Sequence, residues 1–501
     1  MFKMSKCVLR QLISAICCCI AGMTIGAIAG WSAAAFPKIR RNELEFRLSL
    51  FQEAWVINAF YIGIMLSPHP AGIMMDVVGR KSTLLFFSIF AITNWTLVTF
   101  AQHEHMLYLA RFCAGIWAGS VNTIVPAYLS EILQPEIRGS LGTLYMVMYF
   151  GGNLYEYIIG PYVSYFFFGI SSGALCLVFA TTFSLVPETP HYYMMKGKKK
   201  KAEASLKWLR GDGDVSTELE AIRSYVKNFM CRKGRFKELW LNEDYRRAFI
   251  NVQCIYIIQK LTGLFTVLAY LTLIIPSQVG PLSAETCTLI TGVALFLANF
   301  ISSSLVDRVG RKPLFIFSNI GIIISMTITG TWYFLDVHSN LDLKSTTYIP
   351  FFGILAYGVS FCVGVGPIAS LYQGEVLPSN IKARASTVTA IFSAFASIIN
   401  TTLFAICASY IGMYINFFLF ALTSVFALYY AKYFFIETKG KSLLEIQMEL
   451  RMKSDKSYSR SQSINSYQSS ARSSVVYTVS NDMFSKYTAT NDIVSKLREG
   501  A

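Results

Sequence analysis

The sequence DVVGRK at residues 76–81 is repeated with one change as DRVGRK at residues 307–312, in each case after an apolar stretch. Two further landmarks recur in the same order, namely Y-x-x-E ending at Glu131 and again at Glu375, and Glu-Thr at 188–189 and again at 437–438. One match would be weak evidence, but three in register indicate an internal duplication. We therefore expect two related halves.

The composition places this duplicated chain in a membrane. Of its 501 residues 54% are apolar and only 15% are charged, and the mean hydropathy is +0.46. A soluble globular domain carries about 25% charged residues, and a membrane span needs about 20 apolar ones. Stretches of that kind lie at 12–35, 52–75, 83–101, 106–129, 140–161, 163–186, 248–275, 284–306, 314–335, 348–373, 385–409 and 411–435. We predict an all-α integral membrane protein with twelve transmembrane helices in two pseudo-symmetric six-helix bundles.

Composition shifts divide the chain into four regions. The halves are expected at 1–193 and 248–440, separated by a basic cytoplasmic linker at 194–247 with short amphipathic helices, the clearest of them at 202–209. Residues 441–501 form a Ser-rich tail that has too few apolar residues to order itself and is expected to be mostly disordered.

Basic residues in the short loops predict the orientation. Lys and Arg follow the second, fourth, eighth and tenth apolar stretches, while the loops after the third, fifth, seventh and eleventh contain neither. Because cytoplasmic loops are enriched in Lys and Arg, both termini are expected to be cytoplasmic, in a multi-pass protein of the plasma membrane. One loop disagrees, since the first outer loop contains Lys38, Arg40, Arg41 and Arg47.

Several classes of function lack support in the sequence. The net charge of +15 is spread over loops and tail instead of along a helix face interleaved with aromatics, so nucleic-acid binding is not expected. The cysteines and histidines show no metal-ligand spacing, and no nucleophile–base pair or phosphate loop is evident. We expect no enzyme, no cofactor and no metal. The expected partners are a small polar solute and the lipid bilayer.

Acidic and basic residues recur at matched offsets in the two halves. Each acid lies near a helix end where the helix dipole is negative and a cation is needed, and arginine can bind a carboxylate through two parallel hydrogen bonds. Loop charge that only sets the orientation would not give matched offsets. We predict two clusters that hold the cytoplasmic helix ends together and release when the inner side opens, formed by Asp76, Arg80, Arg111, Glu131, Arg138, Glu188, Asp307, Arg311, Glu375, Lys382 and Glu437.

These motifs resemble those of a known family. The repeated D-x-x-G-R-K, the R-x-x-x-G-x-x-x-G that begins at Arg111, PETP at 187–190 and ETKG at 437–440 resemble the sugar porters of the major facilitator superfamily. Within it, YLSEI at 128–132 is similar to the insect facilitated trehalose transporter group. The resemblance runs from about residue 20 to 450 and implies the major facilitator fold, with alternating access to a site near the bilayer midplane.

The resemblance also implies sugar contacts that this chain lacks. Met146 stands where the family has a Gln in the fifth helix, and residues 259–265 read QKLTGLF where the family has Q-Q-x-S-G-x-N. In the tenth and eleventh helices the family's Glu, Trp and Asn-Trp pair fall at Cys362, Ser370 and Ser393-Ala394. The scaffold is retained, while most of the pocket is replaced.

Polar side chains at helical spacing are the candidates for the altered pocket. They are Asn153 and Tyr157 on the fifth helix, Gln259, Lys260 and Thr266 on the seventh, and Ser393, Ser397 and Asn400 on the eleventh. Gln259 is the best single substrate contact. For the eleventh-helix stripe, hydrogen bonding between helices is an equally good interpretation.

Two charged residues lie inside predicted spans, where an unpaired charge is expensive. We predict that Lys260 and Glu156 face one central cavity and pair, the alternative being that Glu156 reaches the outer surface. The first helix has no carboxylate between Gln11 and Trp31, where the resemblance implies an Asp in proton-coupled relatives. The sequence therefore favours uncoupled transport.

The predicted function is facilitative transport of a sugar, a hexose or a trehalose-like solute, by alternating access. One alternative is a carrier on the same scaffold for a non-sugar, anionic solute recruited by Lys260. The other is a non-transporting sensor whose Ser-rich tail is the signalling end.

Overall fold

A computed structural model describes residues 6–211, 215–231, 238–339, 343–377 and 379–439, with a few positions between 441 and 449. The described residues as far as Lys441 form one compact unit. The helices are α1 Lys6–Arg40, α2 Leu50–Leu66, α3 Pro68–Val77, α4 Arg80–Thr99, α5 Glu104–Ile132, α6 Pro135–Ile159, α7 Tyr165–Ser184, α8 Pro190–Met195, α9 Lys199–Arg210, α10 Ser216–Cys231, α11 Glu238–Leu241, α12 Glu243–Leu261, α13 Leu264–Ala269, α14 Leu271–Ile274, α15 Ala284–Val309, α16 Arg311–His338, α17 Tyr348–Val363, α18 Val365–Val376, α19 Ser379–Tyr410 and α20 Tyr414–Tyr433. A hairpin of β1 Gln278–Val279 and β2 Leu282–Ser283 precedes α15, and a 3-10 helix, Lys344–Thr346, precedes α17. The predicted Ser-rich tail lies almost entirely outside the described residues.

The predicted apolar stretches correspond to these helices. In the described part of the chain, eleven helices or joined helix pairs are long and apolar enough to cross a membrane. The remaining stretch, 140–161, falls on α6, a helix of 25 residues for which most side chains at 135–143 are not described. The chain is therefore a multi-pass membrane protein.

The packing of the helices repeats along the chain. In the first half α1 packs on α6, α2 on α5, and α4 on both α5 and α7. In the second half the corresponding pairs are α12 on α19, α15 on α17, and α16 on both α17 and α20. The halves meet through α2 with α19 and through α6 with α15, which are themselves corresponding pairs. The duplication seen in the motifs is thus also present in the contacts.

Glycines allow α1 and α6 to touch backbone to backbone. A Cβ at Gly26 would lie 1.8 Å from the carbonyl oxygen of Tyr149, and one at Gly152 would lie 1.9 Å from that of Met23. Neither position can hold a side chain at this separation. Small residues at such contacts are typical of membrane helices, because lipid supplies no hydrophobic force between them.

The seventh apolar stretch is a broken helix. Gly263 has φ +87°, a left-handed conformation that glycine adopts without strain, and it separates α12 from α13. Side chains of other helices bind the carbonyls at the break, since Leu261 accepts from Asn400 and Thr262 accepts from the hydroxyl of Tyr357. Lys260 lies in the last turn before the break.

The linker helix predicted at 202–209 lies within α9. Its buried residues Ala202 and Leu206 pack against Leu219, Ile222 and Val226 of α10. Arg10 of α1 donates to the carbonyl of Trp208 at 3.1 Å, so the linker is attached to the first half.

Candidate transport site and charge clusters

The first charge cluster joins α3, α4 and α5 at one end of the bundle. The Nη2 of Arg80 lies 2.9 Å from Oε1 of Glu131, and its Nη1 lies 3.8 Å from Asp76. Arg80 is only 5% exposed, so water screens the Glu131 pair weakly. The pair ties the start of α4 to the end of α5.

The second cluster repeats this geometry in the other half. The Nη2 of Arg311, at the start of α16, lies 2.7 Å from Oε1 of Glu375, near the end of α18. The other oxygen of Glu375 accepts from the hydroxyl of Thr438 at 2.5 Å. The side chains of Asp307 and Arg138, also predicted here, lie outside the described residues.

Glu188 and Glu437 act differently from the prediction. Glu188 accepts from the backbone N–H of Lys81 at 2.9 Å, and Glu437 accepts from those of Arg311 and Lys312 at 3.0 and 2.9 Å. They therefore cap the positive N-terminal ends of α4 and α16, and the expectation of a negative helix end is wrong for both. The chain that leaves α7 brings Glu188 to the start of α4, and the chain that leaves α20 brings Glu437 to the start of α16.

The two capping carboxyls differ in their pKa. Burial raises the pKa of Glu188, and its backbone hydrogen bonds offset this only partly. Burial also acts to raise the pKa of Glu437, but backbone N–H groups lower it by more, so that it falls below its usual value. The two carboxyl groups occupy corresponding positions, but Glu437 remains ionised to a lower pH than Glu188.

Two other residues predicted for the charge clusters, Lys382 and Arg111, are not part of the Arg80–Glu131 and Arg311–Glu375 ion pairs. Lys382 donates to the carbonyl of Gly374 at 3.0 Å. Arg111 is buried, donates to the carbonyl of Ile28 at 2.7 Å, and has its guanidinium over the rings of Trp31 and Phe60. Assigning Arg111 to a charge cluster is therefore wrong, because Arg111 lies near the start of α5, at the end away from Glu131, and faces α1 and α2.

Both ion pairs join helices of the same half. Arg80 and Glu131 belong to the first half, and Arg311 and Glu375 to the second. In this conformation the clusters fasten helix ends within each bundle. Neither of these two ion pairs links one bundle to the other.

The opposite end of the bundle contains charged contacts that sequence reasoning missed. Arg40 binds the fully buried Glu53 through hydrogen bonds of 3.0 and 2.6 Å. Arg41 of the first half lies 2.5 Å from Glu285 of the second, and Lys38 lies 3.4 Å from Glu43. The basic residues of the first outer loop were the signal in the sequence that could have indicated these contacts. Three of them are paired with Glu43, Glu53 and Glu285.

Several predicted substrate contacts are used to join helices. Gln259 donates to the carbonyl of Gly366 at 2.7 Å, linking α12 to α18. Thr266 donates to Asn400 at 2.9 Å, and Asn400 donates to the carbonyl of Leu261 at 3.1 Å. These amide and hydroxyl donors are occupied by protein acceptors.

The other predicted substrate contacts either bond within their own helix or have no hydrogen-bond partner among the described residues. Ser393 and Ser397 donate to carbonyls of their own helix, Ala390 and Ser393, each at 3.0 Å. Both side-chain polar atoms of Asn153 and the hydroxyl of Tyr157 are buried without a hydrogen-bond partner in the described part of the chain. The ring of Tyr157 packs against Gly292 of α15, at the contact between the halves.

The predicted pair of Lys260 and Glu156 is not formed. The ammonium of Lys260 lies over the ring of Phe265, 4.2 Å from its centroid. Glu156 is fully buried beside Gly30, and neither carboxylate oxygen has a hydrogen-bond partner among the described residues. Since Glu156 is not exposed at all, the alternative of a surface position is wrong as well.

Comparison with known proteins agrees with this architecture. The family described as "Sugar (and other) transporter" matches residues 11–450. The chain is 28% identical over 441 residues to the facilitated trehalose transporter Tret1 of Apis mellifera ligustica, with 87% of each chain covered. It is 29% identical over 448 residues to that of Polypedilum vanderplanki, with 88% of each covered. It spans 51% of the length of the Tret1 of Drosophila willistoni.

Solved structures show the same fold. The xylose transporter XylE from E. coli, in a partially occluded inward open conformation, superposes with a TM-score of 0.72 at 20% identity, covering 86% of this chain and 99% of that one. The proton:xylose symporter XylE bound to 6-bromo-6-deoxy-D-glucose gives a TM-score of 0.70 at 19% identity, covering 90% and 100%. The predicted major facilitator fold is confirmed.

Proposed function

The chain belongs to the family of sugar (and other) transporters, and on this basis we propose that it carries a sugar across the membrane by facilitated alternating access. The observation that carries the proposal is the repeated packing of two helical halves that meet mainly through corresponding helix pairs, α2 with α19 and α6 with α15. Such an arrangement lets two bundles rock about a site between them.

In this proposal each bundle moves as one body. The ion pairs Arg80–Glu131 and Arg311–Glu375 keep the ends of their helices together, and hydrogen bonds to charged groups stabilise by about 1.5–3 kcal/mol each. The path runs between α1, α5 and α6 of the first half and α12–α13, α15, α17–α18 and α19 of the second. Asn153 and Tyr157 supply unpaired polar groups to the solute. Tyr157 packs against Gly292 of α15 and is uncovered when α6 separates from that helix.

We also propose the plasma membrane as the location, with both termini and the charge clusters on the cytoplasmic side. The basic loops at the cluster end support this orientation. The basic residues at the opposite end count against it less once three of them are paired with Glu43, Glu53 and Glu285.

Counterflow in proteoliposomes tests the proposal. Vesicles preloaded with trehalose or D-glucose should accumulate the labelled sugar transiently, and protein-free vesicles should not. A panel of labelled organic anions in the same vesicles separates a sugar carrier from an anion carrier. Absence of flux for every solute would support the non-transporting sensor instead.

A further inference from the structure

The polar side chains predicted to bind the solute in the second half differ in whether their hydrogen-bond donors are already used by the protein. Gln259, Thr266 and Asn400 are bonded to protein acceptors, and the serines of α19 to their own helix. The ammonium of Lys260 makes no hydrogen bond or ion pair with any described residue and touches a ring instead. Among the predicted side chains of this half, the ammonium of Lys260 is therefore the hydrogen-bond donor that remains available to a solute.

Lys260 lies on a protein-facing side of α12. Gln253, two turns earlier and so on the same face, is buried and donates to Thr389 of α19. Lys260 is nonetheless half-buried and not closed off. Its ammonium lies over Phe265, which is in edge-to-face contact with Phe361 of α17 at 6.1 Å.

The protein compensates this charge only in part. The ring of Phe265 attracts the ammonium through its quadrupole, and the C-terminal end of the α12 helix dipole adds a partial negative charge. No carboxylate of the described chain lies within ion-pair distance of Lys260. A cation at this depth is expensive without a counter-charge, so a bound anion stabilises the site.

Resting on the transport function proposed above, we propose that Lys260 binds the carboxylate of the transported solute, so that a sugar acid is carried in preference to a neutral sugar. One ammonium neutralises one carboxylate, whereas a dianionic phosphate would leave an uncompensated charge in the bundle. The remaining hydroxyl groups are contacted by Asn153 and Tyr157 of the first half.

The test compares two solutes that differ at one carbon. Full-length protein in proteoliposomes is assayed by counterflow with D-glucuronate and D-glucose, which share a ring and differ in carboxylate against hydroxymethyl at C6. Wild type should exchange glucuronate at least about tenfold faster, as expected for one buried charge-assisted hydrogen bond. Lys260→Gln should abolish that preference, measured as the ratio of glucuronate to glucose exchange within each variant, and Lys260→Arg should retain it. Lys432→Gln, at an exposed position of α20, is the matched control for loss of a lysine.

A second measurement does not depend on transport or on folding of the variants. Glucuronate, but not glucose, should raise the thermal unfolding temperature of the detergent-solubilised wild type, because a ligand that binds only the folded state stabilises it. Equal exchange of both solutes, or a preference for glucose, overturns this inference and leaves sugar transport standing. Absence of exchange for both solutes, with no thermal shift, overturns the inference and the proposed function together.

Discussion

Glu53 and Arg40 form a pair whose partners are unequally buried. The side chain of Glu53 is 0% exposed, whereas that of Arg40 is 34% exposed. Removing one partner of a buried pair leaves the other uncompensated, and the cost depends on whether that remaining group can reach water. The geometry therefore predicts asymmetric effects for two conservative substitutions.

Arg40→Gln should destabilise the protein by roughly 3 kcal/mol, since it leaves a buried carboxylate without its cation. Glu53→Gln should cost about 1 kcal/mol or less, since the arginine that remains can turn to solvent. Thermal unfolding of the two purified variants in the same detergent gives the comparison. Equal losses, or a larger loss for Glu53→Gln, would contradict this account.

Glu437 offers a pH-dependent test. Burial acts to raise its pKa from the usual 4.5, but the backbone N–H groups of Lys439, Lys312 and Arg311 lower it overall. A depressed pKa in the folded state means that the stabilisation is present above the unfolded value and is lost as pH falls through the folded one. The stability difference between wild type and Glu437→Gln should be constant above about pH 5 and shrink below it. Unfolding temperatures measured from pH 7 to pH 4 test this, and a difference that grows towards acid pH would refute it.

At the scale of elements, the contact of α1 with α6 depends on glycine at particular positions of one helix. Gly152 faces α1, where a Cβ would lie 1.9 Å from the carbonyl of Met23. Its neighbour Gly151 faces Phe296, and a Cβ there would make an ordinary contact of 3.5 Å. Adjacent residues of the same type thus sit in different environments.

Gly152→Ala should destabilise by roughly 2 kcal/mol or more, because the two backbones must separate to admit the methyl group. Gly151→Ala should be neutral or slightly stabilising, because alanine favours the helix and the space exists. Expression level and thermal unfolding of the two variants, side by side, decide the matter. Similar behaviour of both would mean that α1 and α6 do not approach as described.

At the scale of the whole molecule, the two halves are joined at the end opposite the charge clusters. Arg41 of the first half meets Glu285 of the second, and the hydroxyl of Thr272 donates to the carbonyl of Ala33. Both contacts cross between bundles, unlike the cluster ion pairs. They would have to break for that end to open.

Arg41→Glu should therefore shift the protein towards opening at this end, because it places two carboxylates together. The effect should be a few-fold, since Arg41 is largely exposed and surface pairs contribute about 1 kcal/mol or less. Labelling of Thr288→Cys, beside the pair, by a membrane-impermeant maleimide should become faster in Arg41→Glu. The double variant Arg41→Glu with Glu285→Arg should restore the slow rate. A failure of the reversed pair to restore it would argue against a direct gate contact.

Much of the architecture was readable before any coordinates. Apolar stretches of sufficient length located the transmembrane helices, and the motif repeat indicated two halves, because both depend on local composition and on order along the chain. The matched offsets at helix ends predicted that Arg80 and Glu131, and likewise Arg311 and Glu375, belong to one cluster each, but not which ion pairs form within it. The break at Gly263 was not predicted, since a threonine–glycine pair in an apolar stretch is compatible with either a bend or a continuous helix.

The sequence by itself determined the membrane environment, the duplication and the residues at each helix end, since these are set by hydropathy and by spacing along one chain. Only the tertiary structure decided that Glu188 and Glu437 cap helix starts, that Gln259 and Asn400 bond to protein, and that Lys260 and Glu156 remain apart. Each of these depends on how neighbouring helices are rotated and shifted against one another. That arrangement is fixed by close packing among many side chains, so no single stretch of sequence carries it.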